Sequence, residues 1–339
     1  MKQAYLYHHL DKNKVKCDLC RHGCTIAPDQ KGLCGVRQNQ DGELYSLNYA
    51  KAIAANIDPV EKKPLYHFLP GSKIFSIGAA GCNFRCDFCQ NWRTSQITKG
   101  QDGHVVGQNL PPEEVVQTAQ YYDCPGIAYT YTEPTIFFEY AKDTAQLAQK
   151  EGLKNIFVSN GYETRQTVDQ MAGLIDAANI DLKAFNDNYY QEICGAKLDP
   201  VLDTIQYMYE KEIWVELTTL IVPGENDDSD ELQQLAEFIA DVDPDIPWHI
   251  SRFTPQYKMD DIEKTPRETL RKAAKIGEKA GLNYIYVGNV AWDEYRHTFC
   301  PDCGHKLIDR SNYAGTSNIK EDKCPQCEAK IAGFFQVQT

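Results

Sequence analysis

From Lys73 onward, short apolar runs alternate with segments whose apolar residues recur at helical spacing. The runs cover 73–79, 126–132, 155–159, 178–183, 214–222, 248–254 and 284–287, and they read as strands. The clearest helical pattern is 228–242, where Leu232, Leu235, Phe238, Ile239 and Val242 share one face. Asp228 and Glu231 supply the two arms of a capping box at its start. A second helix is expected from Thr265, with Thr265 as N-cap, Pro266 in the first turn and Glu268 completing the box. Gly281 closes it. Repeated strand–helix units predict an α/β fold with a parallel sheet and helices outside it. Six or seven units make a partial (β/α)6 barrel of the TIM type, short of the ~250 residues usual for eight. Active groups then belong at the C-terminal ends of the strands.

Composition narrows the function classes. The 339 residues are 42% hydrophobic and 24% charged, which excludes a disordered or fibrous chain. Thirty-five basic against 48 acidic side chains leave a net charge of −13, so nucleic acid is not an expected partner. No run approaches the ~20 apolar residues that span a bilayer, so no membrane association is expected. Residues 1–14 carry His8, His9 and Asp11 but no apolar signal core, so a cytoplasmic location is expected. The chain has 13 cysteines. In a reducing compartment an odd number of thiols reads as metal ligands rather than a disulfide framework.

The cysteines form three clusters and two strays, Cys124 and Cys194. They divide the chain into an N-terminal Cys-rich module over 1–70, a catalytic barrel over 71–290 and a C-terminal module over 291–339. The central cluster follows the first strand, with Cys82, Cys86 and Cys89 spaced C-x3-C-x2-C. Structural zinc wants four ligands, and four-iron clusters normally take four thiolates. Three thiolates therefore leave one iron open to a substrate or cofactor. The alternative, three cysteines acting as small buried hydrophobes, conflicts with Asn83, Arg85 and Asp87 in the same loop.

This loop, with Phe88 immediately before the last cysteine, resembles the signature of the radical S-adenosylmethionine (SAM) superfamily. The resemblance implies a 4Fe-4S cluster on Cys82, Cys86 and Cys89. It also implies S-adenosylmethionine chelated to the fourth iron and cleaved to a 5′-deoxyadenosyl radical that abstracts hydrogen. A narrower resemblance covers about 73–290, to the pyruvate formate-lyase-activating enzyme branch. Cys89-Gln90-Asn91, Asp181-Leu182-Lys183 and Val222-Pro223-Gly224 with Asp227 and Asp228 carry it. Lys62-Lys63-Pro64-Leu65-Tyr66-His67-Phe68 before the barrel and a ribbon after it look like the radical enzyme of the AmmeMemoRadiSam system.

By that resemblance Phe88, Thr132, Glu133, Ser159, Asn160 and Asp181 are cofactor-binding candidates, and Lys183 and Arg252 catalytic ones. Relatives place Gly-Gly-Glu where this chain has Tyr131-Thr132-Glu133, so Glu133 reads equally as a helix N-terminal acid. Ser159 can donate to the cofactor. Val158 stands where some activating enzymes have a cation-binding aspartate, and Pro255-Gln256-Tyr257 where relatives have Pro-Tyr-His. Asp181 and Lys183 alternate with Leu182 and so face one side. Arg252 is a carboxylate or substrate clamp, or an ordinary barrel-mouth ion pair. His249 reads as a satisfied core histidine. Cys194 reads as a buried thiol beside Gly195, with hydrogen donation to a radical as the sharper alternative.

The C-terminal cysteines Cys300, Cys303, Cys324 and Cys327 form two C-x2-C knuckles, fitting a ribbon around zinc or iron. Tyr313, Phe334 and Phe335 cover a partner surface or pack that ribbon. The N-terminal set, Cys17, Cys20, Cys24 and Cys34, suits structural zinc or a second iron–sulfur cluster; auxiliary clusters in activating enzymes use other, ferredoxin-like spacings, so zinc or reduced thiols are favoured, with His22 as a further ligand candidate. The leading function is a radical SAM enzyme of the AmmeMemoRadiSam type, acting on a protein or small molecule and fed by flavodoxin or ferredoxin. The alternatives are an activating enzyme that makes a glycyl radical on a partner, and an iron–sulfur or zinc scaffold that transfers electrons.

Overall fold

The computed structural model describes residues 1–100, 102–291, 293–311 and 315–335. Its seven parallel strands follow the apolar runs: β1 (Lys73–Ala79), β2 (Gly126–Tyr129), β3 (Lys154–Ser159), β4 (Ala177–Asp181), β5 (Trp214–Ile221), β6 (Trp248–Arg252) and β7 (Ile285–Gly288). One helix of seven or more residues lies between each successive pair: α1 (Pro112–Tyr121), α2 (Phe138–Lys150), α3 (Arg165–Met171), α4 (Leu198–Glu210), α5 (Ser229–Val242) and α6 (Arg267–Ala280). Each strand pairs in parallel with the next, from β1 to β7. Helices cover one face and the barrel interior the other, which is why the strands read as unbroken apolar runs rather than alternating ones. The sheet does not close. β7 is one edge, and beyond β1 come the antiparallel strands Lys51–Pro59 and Gln108–Asn109. The first of these precedes residue 70, so the barrel sheet extends into the segment expected to be a separate module.

Several runs stop short of their expected ends because the chain leaves the ladder at the barrel mouth. Tyr131 takes a left-handed φ of 67°, and the Leu182 amide turns back to the Ile180 carbonyl at 3.1 Å. The helix caps also differ in part. Asp228 caps α5, accepting from the amides of Asp230 (2.9 Å) and Glu231 (3.1 Å). The second arm of the box is absent, because Glu231 instead accepts from the Phe185 amide at 2.9 Å and tethers the loop after β4. At α6 the N-cap is Pro266, without a side-chain cap. Thr265 is drawn inward, donating to the Ile221 carbonyl (2.6 Å) and accepting from the Phe253 amide (3.0 Å). Gly281, at φ 93°, ends α6 as expected.

A buried carboxylate organises the floor of the barrel. Glu216 on β5 accepts from the amides of Tyr66 and His67 (2.8 Å each), His249 Nε2 (2.7 Å) and Trp214 Nε1 (3.1 Å). The segment that contains Lys62-Lys63-Pro64 thus plugs the barrel from below, and His249 is a satisfied core histidine. The C-terminal ribbon packs under this plug: Arg310 Nη2 donates to the Tyr66 carbonyl at 2.7 Å, and Phe334 pairs with Phe68. Phe334 and Phe335 pack against Trp214 and His67, whereas Tyr313 lies outside the described residues. Among the described residues, no helix is long and apolar enough to cross a membrane.

Small antiparallel sheets of the first 46 residues sit against α2 and α3. Their anchor is a fully buried ion pair. Arg37 meets Glu139 on α2 twice, at 2.7 and 2.6 Å, and Glu139 also accepts from the Tyr5 amide at 2.9 Å. Glu139→Gln leaves a buried guanidinium without its counter-charge and is expected to destabilise the fold by about 3–5 kcal/mol. The check is a urea titration, in which the midpoint falls at an unchanged slope; an unaltered midpoint contradicts the anchoring role.

Candidate active site

The C-terminal ends of the strands converge on a cavity of about 780 Å³. The loop after β1 enters it, and Cys82, Cys86 and Cys89 all line it. Gly81 makes this approach possible. Its φ is 110°, and a Cβ there would press within 3.1 Å of both Thr98 Oγ1 and Val36. The loop is pinned from behind by amides of Arg85 and Asp87, which donate to the carbonyls of Cys194 (2.9 Å) and Ile193 (3.1 Å). From above, Lys258 Nζ meets Asp87 at 2.7 Å and Tyr257 stacks on Trp92 at 5.0 Å. Cys194 is buried against Cys86 and does not line the cavity, which favours its packing reading.

Burial pushes the thiols of Cys82 and Cys89 up, and a hydrogen bond to Cys194 together with burial does the same to Cys86. Burial thus favours the neutral thiols, and a bound metal would convert them to thiolates. Donors already await sulfur charge. The Phe84 amide lies 3.3 Å from Cys82 Sγ, and Ser95 Oγ lies 3.3 Å from Cys89 Sγ. Ser95 also lines the cavity. Lys99, whose Nζ donates to the Phe84 carbonyl, brings a positive charge beside the loop. Sequence reasoning missed both residues, although each follows the last cysteine within ten positions. Three sulfurs with backbone and hydroxyl donors around them fit an iron–sulfur cluster with one open iron.

Across the cavity, Glu133 and Glu163 share two hydroxyls in full burial. Thr135 Oγ1 lies 2.6 Å from Glu133 and 2.8 Å from Glu163; Ser159 Oγ lies 2.8 and 2.6 Å from the same two carboxylates. Glu133 also accepts from the amides of Thr135 (3.0 Å) and Asn160 (2.8 Å), so it acts as a helix N-terminal acid while lining the cavity. The single proton of Ser159 is engaged by this pair, and that of Thr132 by the Ala79 carbonyl at 2.6 Å. Neither hydroxyl is left to donate to a cofactor. Asn160 donates to Asn83 Oδ1 at 2.7 Å, and its own Oδ1 is buried without a partner. Gly161 then turns the chain at φ 71°, where a Cβ would strike Ile180 at 2.7 Å.

Asp181 and Lys183 both line the cavity, joined at 2.8 Å, with Lys183 Nζ 5.6 Å from the centre of the Phe88 ring. Burial disfavours the Lys183 charge, but the Asp181 carboxylate beside it outweighs burial and holds the ammonium protonated. Arg252 is not brought to the site. Its Nε donates to the Thr265 carbonyl at 2.6 Å, and Ser251, its neighbour on β6, lines the cavity instead. Strand alternation decides this: one residue faces in and the next faces out. The structure adds a wall that sequence reasoning did not assign. Asp58 from the antiparallel strand receives Lys63 Nζ (2.9 Å), Lys62 Nζ (2.9 Å) and Tyr131 OH (2.7 Å), and all four residues line the cavity.

A profile of the radical SAM superfamily matches residues 76–239, from within β1 to within α5. An uncharacterised protein of Methanocaldococcus jannaschii is 41% identical over 335 residues, covering 98% of this chain and 99% of that one. The pyruvate formate-lyase 1-activating enzyme of Escherichia coli is 26% identical over 221 residues, 61% of this chain and 89% of that one. The chain belongs to the radical SAM superfamily. Its branch is the one that resembles the pyruvate formate-lyase-activating enzymes. The crystal structure of a radical SAM methyltransferase from Sphaerobacter thermophilus shares the fold, with a TM-score of 0.51 at 15% identity over 65% of this chain and 67% of that one. Membership implies a 4Fe-4S cluster and S-adenosylmethionine as cofactors of this radical SAM enzyme.

Outside the radical SAM barrel, the C-terminal cysteines are gathered for a single ion. The sulfurs of Cys300, Cys303, Cys324 and Cys327 all lie within 4.8 Å of one another. Cys300 and Cys327 are 3.6 Å apart, Cys303 and Cys324 3.7 Å. A tetrahedron of sulfurs ~2.3 Å from one metal has edges of ~3.8 Å, so the set fits a mononuclear site. Replacing the exposed Cys303 and Cys327 with alanine is expected to remove one metal equivalent by elemental analysis; unchanged metal content contradicts that site.

The two buried carboxylates make the stability of the barrel sensitive to pH. Burial and the neighbouring Glu163 raise Glu133 from its ordinary 4.5 to about 7, and burial raises Glu163 as well. A raised carboxylate stabilises the fold below its unfolded value and loses that contribution as pH rises through the folded one. Glu163→Gln removes the like charge, so its stability relative to the parent is expected to increase between pH 5 and pH 8. Urea midpoints at both values check this, and a pH-independent difference contradicts the shared-proton pair.

Proposed function

We propose that this radical SAM enzyme reductively cleaves S-adenosylmethionine and uses the resulting radical on a substrate at the barrel mouth. The observation that carries the reading is one cavity lined at once by Cys82, Cys86, Cys89, Glu133, Asn160, Asp181 and Lys183. The three cysteines would hold the 4Fe-4S cluster. When bound, the cluster supplies one electron that breaks the cofactor's sulfur–carbon bond, giving a 5′-deoxyadenosyl radical that abstracts hydrogen.

The chain's own residues have distinct tasks in this reading. Lys183, kept charged by Asp181, offers a cation for a carboxylate, and Phe88 packs beneath it. The unpartnered Asn160 Oδ1 offers an acceptor for an ammonium. Glu133 holds the Asn160 backbone in position through its amide. Asp58, Lys62, Lys63 and Tyr131 form the wall where an unidentified substrate, protein or small molecule, would be recognised. A ferredoxin- or flavodoxin-type donor would supply the electron. The architecture along the chain, with the Lys62–Phe68 plug below and a four-cysteine ribbon beneath it, supports the AmmeMemoRadiSam-type reading. Zinc is the ion proposed for that ribbon.

A second reading, generation of a glycyl radical on a partner enzyme, draws on the likeness to the Escherichia coli activating enzyme over 61% of this chain. The two share the first chemical step. Anaerobically reconstituted, reduced protein given S-adenosylmethionine is expected to form 5′-deoxyadenosine, and Cys86→Ala to form none. Lys183→Met is expected to slow formation ~10–100-fold, the equivalent of one lost charge-assisted hydrogen bond. The measurement is chromatographic quantification of 5′-deoxyadenosine. Full product from Cys86→Ala refutes the cluster assignment, and parental rates in Lys183→Met refute the clamp.

A further inference from the structure

The large cavity is lined by more charge than the cofactor reading employs. Lys183 and Asp181 answer each other at 2.8 Å, but Asp58, Lys62 and Lys63 line it as well. The local sequence explains how these three meet. Asp58 stands near the end of the antiparallel strand Lys51–Pro59, and a 3₁₀ turn over Val60–Lys62 brings Lys62 and Lys63 back beside it. Lys62 Nζ reaches Asp58 Oδ1 and Lys63 Nζ reaches Oδ2, both at 2.9 Å. The two ammoniums are nonetheless unequal, since the Lys62 side chain is 52% exposed and that of Lys63 only 3%.

Among these three groups one positive charge is in excess. Burial disfavours that excess, and the charge of Lys62 disfavours a second ammonium beside it. When Lys63 gives up its proton, Lys62 stays on Asp58, so the carboxylate keeps a counter-charge. Burial thus selects Lys63 as the lysine that turns neutral, and its pKa is lowered despite its contact with Asp58. A desolvated lysine next to another cation is a setting in which the amine becomes a nucleophile.

A second proton-handling group is in reach. Tyr131 OH donates to the same Asp58 Oδ2 at 2.7 Å and accepts from Asn56 Nδ2 at 3.2 Å, and its ring centre lies 4.6 Å from Lys63 Nζ. Tyr131 takes this place with a left-handed φ of 67°, a backbone geometry uncommon for a bulky side chain. All five residues line the cavity. Nucleophile, proton acceptor and proton donor therefore stand together on one wall.

We propose that Lys63 is a covalent substrate anchor that captures an aldehyde or ketone as an iminium. The assignment rests on the reading of this cavity as the place where substrate is held, and it names the substrate class. Asp58 takes one proton from Lys63, and the freed lone pair forms a bond to the carbonyl carbon. The carbon–oxygen π bond breaks as Tyr131 gives its proton to the oxygen, and Asp58 returns the first proton to Tyr131. The hydroxyl then leaves as water with a second proton from nitrogen. One ammonium and one carbonyl thus become one iminium and one water, with no electron gained or lost. The iminium keeps the positive charge that faces Asp58.

The test gives the full chain acetone, a small uncharged ketone, together with cyanoborohydride, which reduces an iminium far faster than a ketone. Peptide mass mapping over a time course locates the isopropyl group. Lys63 is expected to be modified before any other lysine, and Lys63→Met to lose that early adduct. Lys62→Met changes an exposed side chain and leaves Lys63 as the one ammonium on Asp58. It is expected to slow the adduct at Lys63, a readout that a merely structural ion pair would not move. The parent protein decides the matter even if Lys63→Met fails to fold. No adduct at Lys63, or one no faster than at exposed lysines, overturns the anchor. An unchanged rate in Lys62→Met overturns the part given to the neighbouring charge. Labelling requires neither the cluster nor S-adenosylmethionine, so its failure is distinct from a failure to form 5′-deoxyadenosine.

Discussion

Three thiols gathered in a loop at the end of the first barrel strand are the constraint on which the rest of this structure depends. Without a metal, burial keeps Cys82, Cys86 and Cys89 neutral. With one, they become a concentrated negative charge that must be held in place and balanced. The surroundings are arranged for that. Gly81 admits the loop, the carbonyls of Ile193 and Cys194 pin it, and Lys258 and Tyr257 close over it. Ser95, Lys99 and Lys183 place donors and positive charge beside it. An open barrel suits this task, because the strand ends bring residues of many segments to one mouth while the unclosed side leaves room for a substrate.

The same economy appears at the floor. One buried carboxylate, Glu216, gathers the plug segment, β5 and β6 through four donors, and Arg310 ties the ribbon to that plug. The N-terminal sheets are held on the opposite side by Arg37 and Glu139. Both Cys-rich ends are thus joined to the barrel by polar groups in full burial, where a missing partner is costly. At the C-terminal end the ribbon's four sulfurs are at mononuclear spacing.

Much of this was legible in the sequence, and the failures have physical causes. Strands buried on both faces announce themselves as apolar runs, so all seven were found with small errors at their ends. Those errors cluster where the chain turns into the mouth, as at Tyr131 and Leu182, because residues there remain apolar after leaving the ladder. The spacing of the loop cysteines and of Asp181 and Lys183 survives in sequence, since each lies within one local segment. What did not survive is long-range. The Asp58 wall comes from an antiparallel strand whose neighbour in the sheet is not its neighbour in function. Ser159 looks like a free donor until Glu133, from another segment, joins Glu163 in taking its proton. Thr265 looks like a cap until Ile221 claims it. Arg252 fails by a single position, because facing in or out depends on a register that composition does not report.

The central claim is that the loop cluster keeps one iron open inside the cavity and that S-adenosylmethionine binds there. The most direct measurement is electron paramagnetic resonance of the reduced, reconstituted protein with and without S-adenosylmethionine. The loop cluster's signal is the one that the variant Cys86→Ala lacks. The account predicts that the cofactor shifts the g-values of that signal, and that Asp181→Asn with Lys183→Met weakens the shift. A loop-cluster spectrum indifferent to saturating S-adenosylmethionine would contradict it.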